Sequence, residues 1–479
     1  MNGAPPARWQ FLALACYGLV LALAIPRHEP WFDEAQAWLL ARDSSLAELF
    51  ATWLRYEGNP GLWHVLLAAP AKLGAPFASM HVLSALLAFA AAALCILRAP
   101  FPPVLRLAIP FSYFPLFQYG VIARPYALAA PALFTLAALW PERTRHPRAF
   151  AACLALLACV SVPGTLIAGA LAALHLLELW RARAGTAPEL LREHALSQAL
   201  LLALGVAIVL VLLPPKDHAA IPAALETDPR AILSAAWSQL NGAFTELAPA
   251  SLAALALTLA WLHARGALTL FALPACAVLA FAGVAHAHPW HEGMLFLLWI
   301  FALWVSWPRA EAARPKLLLA AYACAALVLV FHVSWSLAAL RFDFTNAYSA
   351  GREAAAYLRE HARERDRVFA TGYGAFAIQP YFAANRFDNY RDGEGPAFFD
   401  WRRGSPLASE YADLLRAQPE FVVVGVKYDE EETLLTNPQQ LFPGYEPRVF
   451  LGALWWKNRP LEWEACVIYQ RGSSGLEKR

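Results

Sequence analysis

Long apolar runs fill the first 340 positions of the chain. A bilayer core takes about 20 apolar residues per helix. Reading for such runs predicts eleven transmembrane helices, near 9–26, 76–97, 104–122, 125–140, 149–162, 164–180, 195–213, 247–262, 267–285, 291–307 and 317–338. Pro163-Gly164 divides the fifth from the sixth, and such a pair breaks a helix into a turn or a kink. Beyond position 340 the runs shorten. The pattern there predicts helices near 350–363, 375–382 and 407–416, and strands near 367–370, 420–426, 448–455 and 465–470. The 420–426 run is nearly all apolar, as a strand buried on both faces requires. The expected fold is therefore mainly α, a polytopic membrane protein of about 11 spans at 1–340. A small C-terminal α/β domain follows at 341–479.

Composition sharpens this division. The chain has 479 residues, 59% hydrophobic and 15% charged, with mean hydropathy +0.43. Soluble chains run about 45–50% apolar and about 25% charged. Charged residues make up about 11% of 1–340 and about 27% of 341–479. A wholly soluble, disordered or disulfide-framed chain is thereby excluded. The net charge of +2 offers no clustered basic face for nucleic acid. Of seven cysteines only Cys466 lies beyond 340, so the tail can form no internal disulfide.

Loop charge sets the expected orientation. With the N-terminus in the cytoplasm, the inner connections carry thirteen Lys+Arg and the outer ones seven, although the outer set is nearly twice as long. That bias holds on both sides of Pro163-Gly164, so the proline-glycine pair reads as a turn. The tail then lies outside, and the chain belongs in a plasma membrane, that of a bacterium. The first run lacks a small-x-small cleavage site and reads as a helix rather than a signal peptide. The long outer connections are 27–75 and 214–246. In the first, Ser45 and Glu48 form a capping box ahead of Leu46, Leu49, Phe50 and Trp53, which predicts a helix lying flat at the interface. The stretch 60–73 is apolar but too short to span and reads as re-entrant or juxtamembrane.

The chemistry concentrates at 28–38, whose sequence is HEPWFDEAQAW. Asp33 and Glu34 stand side by side between Trp31, Phe32 and Trp38. Like charges in a poorly polar setting push one carboxyl upward and suit it to proton transfer near neutral pH. The plain alternative is ordinary loop acids, with Asp33 capping a helix. Further along, Glu57-Gly58-Asn59-Pro60-Gly61-Leu62-Trp63-His64 closes the first outer loop, and Arg124-Pro125-Tyr126 occupies the second outer turn.

An acidic pair in the first outer loop, with these two stretches, resembles the GT-C fold glycosyltransferases. The resemblance is closest to the branch of protein O-mannosyltransferases and lipid A aminoarabinose transferases. It implies transfer of a sugar, with inversion, from a polyprenyl-phosphate donor to a lipid, glycan or protein acceptor on the outer face. By the same resemblance Asp33 is the base, Glu34 its partner, and Asn59, His64 and Tyr126 loop or acceptor residues. A departing phosphate needs a fixed cation, and Arg124 has the planar fork for it, although a snorkelling interfacial arginine is the simpler reading. Lys216 and the histidines of His286-Ala287-His288-Pro289-Trp290-His291 add candidates, with His288 and His291 as donor-phosphate contacts. For the histidines, metal binding and interfacial packing stay open. No cofactor is required, and a divalent metal finds no support, because 119–126 contains no acid. His81 and His175, inside spans, read as helix-packing groups, and 429–432 as a solvated loop. The rival class is a transporter or flippase for lipid-linked saccharides. It expects ionisable groups at midplane and a repeat, neither of which the pattern shows.

Overall fold

The computed structural model describes residues 7–472 except 214, 219–224, 309–314, 403–413, 415 and 429–430. Four helical stretches are long and apolar enough to cross a membrane: Ser79–Arg98, Val162–Gly185, Pro188–Leu212 and Pro315–Thr345. Pro229–Phe244 and Ala248–Ala264 add a fifth if taken as one span broken by 82°. Shorter apolar helices are Arg8–Ala24 (α1), Pro147–Ala158 and Leu268–Val284. Glu292–Ser306, buried along nearly its whole length, runs through the middle of the bundle.

Several predicted runs depart from unbroken helices for physical reasons. The run 104–122 splits into Pro103–Ala108 and the wide π-turn Phe114–Val121. Pro110 and Pro115 each lack the amide that would continue the ladder. The break near Pro163-Gly164 falls earlier, at Cys159–Ser161. Ser161 caps the Gly164 amide and Pro163 sits in the next helix's first turn, where its missing N–H costs nothing. The two helices pack on each other, so the break is a turn. The connection 214–246, expected as loop, contains the helix Pro229–Phe244, which packs on Leu268–Val284 and Glu292–Ser306. Its apolar Ile232, Trp237, Leu240 and Phe244 carry a helical period that the polar residues between them obscure.

The boundary at 340 also moves. The last long helix runs unbroken from Pro315 to Thr345 and carries Asp343 in its last turn. The tail then forms the helix Gly351–His361 and a four-stranded sheet of order β1-β2-β6-β3, made of Val368–Thr371, Phe421–Val426, Ala465–Arg471 and Tyr445–Phe450. β1 and β2 are parallel, with Val368 opposite Phe421, and the other pairs are antiparallel. The stretch predicted as a helix near 375–382 is a 3-10 helix, Tyr373–Tyr381. The helix predicted at 407–416 lies mostly outside the described residues, as do two residues of the acidic run 429–432.

The single strand expected at 448–455 is two. β3 ends at Phe450, and β4 (Ala453–Trp456) pairs with β5 (Arg459–Trp463) in a separate hairpin. That hairpin leaves the tail and enters the bundle, where Leu454 and Trp456 join the main core. Lys457 at its tip has left-handed φ 58° and is fully enclosed. Its Nζ donates to Gly242 O, Glu246 Oε1 and Glu292 Oε2 at 2.7–2.8 Å, and its amide donates to Tyr113 Oη. A buried ammonium survives only when so partnered.

Candidate active site

Helix α2 (Phe32–Asp43) opens with Asp33 and Glu34 in its first turn, where the helix dipole favours negative charge. On a helix, neighbours in sequence point about 100° apart. The two acids accordingly part company. Glu34 turns inward and is completely buried, while a third of the Asp33 side chain is exposed.

Glu34 is saturated. Its Oε1 accepts the Ala123 amide at 2.7 Å and lies 2.9 Å from His81 Nε2; its Oε2 accepts the Trp31 amide at 3.2 Å and lies 3.1 Å from His28 Nε2. His28 Nδ1 meets both carboxylate oxygens of Asp343 at 3.2 Å. Burial alone would raise the Glu34 carboxyl, but His28 and His81 pull it well below the usual carboxylate range. Burial likewise opposes charge on His28, and Asp343 and Glu34 overcome it, pushing His28 up to about 10. The expectation that crowding raises one acid of the pair is therefore overturned for Glu34, because the charges beside it are imidazoles. Glu34 has no exposed surface with which to touch a substrate. His28, Glu34 and His81 are close enough to hold a metal ion. Both carboxylate oxygens are nevertheless already engaged by backbone amides, and a buried hydrogen-bond network accounts for the arrangement.

Asp33 points the other way, to Arg124 Nη2 at 2.7 Å. The pair thus grips one loop twice: Glu34 holds the backbone of Ala123, and Asp33 holds the side chain of Arg124. The guanidinium lies among the rings of Trp31, Tyr126 and Trp290, its carbon 5.1, 5.4 and 4.8 Å from their centroids. Its other terminal nitrogen, Nη1, is buried and has no partner among the described residues. His288 Nδ1 and His291 Nδ1 are also buried and unpartnered. Burial, helped by Arg124, pushes His288 down to about 2; burial, with His286 and Arg124, pushes His291 down to about 3. Both rings are neutral at physiological pH. An enclosed arginine nitrogen beside two neutral imidazoles with spare nitrogens can receive an anion.

The tail completes the walls. Gly372 has φ 78°, and a Cβ there would lie 2.9 Å from Gly425 O, so only glycine lets the turn after β1 lie against β2. The adjoining strand ends then present Tyr373 and Lys427 to the start of α2. Lys427 Nζ lies 5.1 Å from the Trp31 ring and 5.0 Å from Tyr373, with Glu462 and Glu464 at 3.2 and 3.4 Å. Burial opposes its charge, but Glu464 and Glu462 hold it ionised and raised. Glu464, pushed up to about 7 by burial, accepts the Phe32 amide. Gln36 exchanges two hydrogen bonds with the backbone of Phe399, and Asp43 accepts the Ala397 amide.

The remaining candidates scatter. Tyr126 lies beneath Arg124 and stacks on Tyr119. Asn59 Oδ1 accepts the Gly61 amide and shapes the turn between helices. His64 is buried in Leu62–Lys72, its ring nitrogens unpartnered, and burial pushes it down to about 4. Lys216 is exposed on a turn whose Asp217 and His218 bond Tyr56, and no contact among the described residues joins it to Arg124. His81 has the partner expected of a packing group, in Glu34, and His175 in His194. The signals that sequence reasoning missed are Lys427, Glu464 and Glu57. Glu57 Oε1 accepts Gln36 Nε2 at 2.8 Å and Trp401 Nε1 at 3.0 Å. No family model, curated protein or solved structure matches the chain.

Proposed function

We propose that this chain is a membrane glycosyltransferase that moves a sugar from a polyprenyl-phosphate carrier to an acceptor hydroxyl by one inverting displacement. The observation that carries the reading is Arg124. Its guanidinium is flanked by three aromatic rings, held at one end by Asp33, and left with a buried nitrogen that has no partner among the described residues. A buried donor without an acceptor is rare, and a lipid phosphate arriving from the bilayer supplies the missing oxygens. As the bond from sugar to phosphate breaks, charge builds on that phosphate. A fixed guanidinium in a water-poor pocket stabilises it without reorganising. The neutral rings of His288 and His291 donate to the same anion without adding charge. Asp33 holds Arg124 in place, and Tyr126 and Trp31 form the apolar floor.

The same reading takes eleven crossings, with the N-terminus cytoplasmic and α2, the histidine turn and the tail on the outer face of a bacterial plasma membrane. The test is direct binding. Purified full-length protein in nanodiscs, titrated with undecaprenyl phosphate, is expected to bind, and Arg124→Ala to lose at least tenfold in affinity. Wild-type protein that binds no more tightly than Arg124→Ala refutes the reading.

A further inference from the structure

The mechanism above leaves one proton without a destination. The acceptor hydroxyl must lose it, and Asp33 is already committed to Arg124 at 2.7 Å. A second carboxylate stands nearby. Glu57 ends the helix Leu54–Glu57, and the left-handed Gly58 turns the chain away behind it. Gln36, one turn beyond Asp33 on α2, reaches Glu57 Oε1, so α2 presents both carboxyls on neighbouring faces. Trp401 of the tail donates to the same oxygen. Oε2 takes no hydrogen bond from any described residue, and it is not sealed from solvent.

We infer that Glu57 is the proton acceptor of the transfer, while Asp33 positions Arg124. This rests on the transferase reading. The acceptor O–H gives its proton to Glu57 Oε2 as its oxygen bonds to the anomeric carbon. The bond from that carbon to the phosphate oxygen breaks, and its electron pair leaves on the phosphate held by Arg124. Glu57, now neutral, passes the proton to water. The surroundings suit the task. Burial pushes the Glu57 carboxyl up to about 7, the donors Gln36 and Trp401 oppose that rise, and the charge of Asp33 adds to it. The other charges on this side, Asp217, Asp400 and Arg402, gather around Tyr56. A base whose pKa lies near the working pH is ionised often enough to act and basic enough to take the proton.

The experiment uses water as the acceptor. Full-length protein in nanodiscs is given undecaprenyl-phosphate carrying a hexose, an N-acetylhexosamine or a pentose, and sugar release is followed from pH 5 to 9. Wild-type kcat is expected to rise through about pH 7 as Glu57 ionises. Glu57→Gln keeps an oxygen for Gln36 and Trp401, so it folds. It is expected to lose about 10²–10⁴-fold in kcat with little change in KM, and to lose the rising limb. Glu57→Asp keeps the limb at reduced rate. A Glu57→Gln protein that retains the wild-type limb and rate overturns the assignment while leaving the transferase reading intact. Wild-type protein that releases none of the three sugars overturns both.

Discussion

Two adjacent acids, given the same amide substitution, are expected to fail in opposite ways. Consider Glu34→Gln first. An amide offers one oxygen where the carboxylate offers two. Each Glu34 oxygen accepts a backbone amide, Ala123 at one and Trp31 at the other. Whichever way the glutamine is turned, its NH2 faces a backbone N–H, donor against donor. An orphaned buried donor costs about 1–3 kcal/mol. Removing one partner of a buried ion pair costs about 3–5 kcal/mol at most, and less here because His28 loses Glu34 but keeps Asp343. The two effects overlap, so a loss of about 2–4 kcal/mol is expected. Domains commonly have only about 5–15 kcal/mol to lose. Asp33→Asn differs at each step. Its side chain is a third exposed and retains an oxygen for Arg124, so the cost is about 1 kcal/mol or less. The assay is thermal unfolding of both purified variants, read as monodisperse protein remaining after heating, beside sugar transfer. Glu34→Gln is expected to unfold early. Asp33→Asn is expected to melt close to wild type and to transfer sugar more slowly, because Arg124 keeps a partner but loses its counter-charge. Equal melting of Glu34→Gln and wild type would refute the reasoning about the buried network.

Further expectations concern charge. Arg124→Lys keeps the cation but loses the fork, and is expected to weaken undecaprenyl-phosphate binding about tenfold; unchanged affinity would mean that a point charge suffices. Stability should depend on pH through His28. Its raised value contributes fully below its ordinary 6.5 and is lost as pH climbs through about 10, while the depressed Glu34 contributes above its ordinary 4.5 and is lost in acid. The contribution of the His28–Glu34 pair should therefore be greatest between about pH 4.5 and 6.5 and smaller at pH 9, by a few kcal/mol. A flat melting profile over that range, or the same slope in His28→Gln, would contradict this. Lys457→Met leaves Glu246 and Glu292 without their ammonium and should destabilise by about 3–5 kcal/mol. Faster proteolysis between the last long helix and the tail reports it, and wild-type resistance would count against the hairpin as an anchor.

What could be read in advance follows from how far apart the partners lie in sequence. Asp33, Glu34 and Arg124 stand out because charges are sparse in an apolar region. That Asp33 meets Arg124 is consistent with both lying at one membrane face. The split of the acid pair was not legible, because which acid faces inward depends on His81 and Ala123, which arrive from a different helix and turn. Glu57 looked like one charge among many in a loop. Its distinction comes from Trp401, contributed by the tail 344 residues later. Lys457 was hidden for a further reason: a hairpin with Trp455 and Trp456 reads as sheet whether it pairs in the tail or plugs the bundle.

The hydrogen bonds between α2 and the tail also constrain how the chain is threaded. Phe32, Gln36 and Asp43 bond directly to Glu464, Phe399 and Ala397. Under the membrane reading proposed above, two segments so joined share one face of the bilayer, and the polypeptide between them crosses an even number of times. Neither Pro147–Ala158 nor the bent Pro229–Ala264 pair can then change the count by one without a compensating change elsewhere. If α1 crosses as that reading takes it to, reporters fused before Arg8 and after Thr345 are expected in opposite compartments.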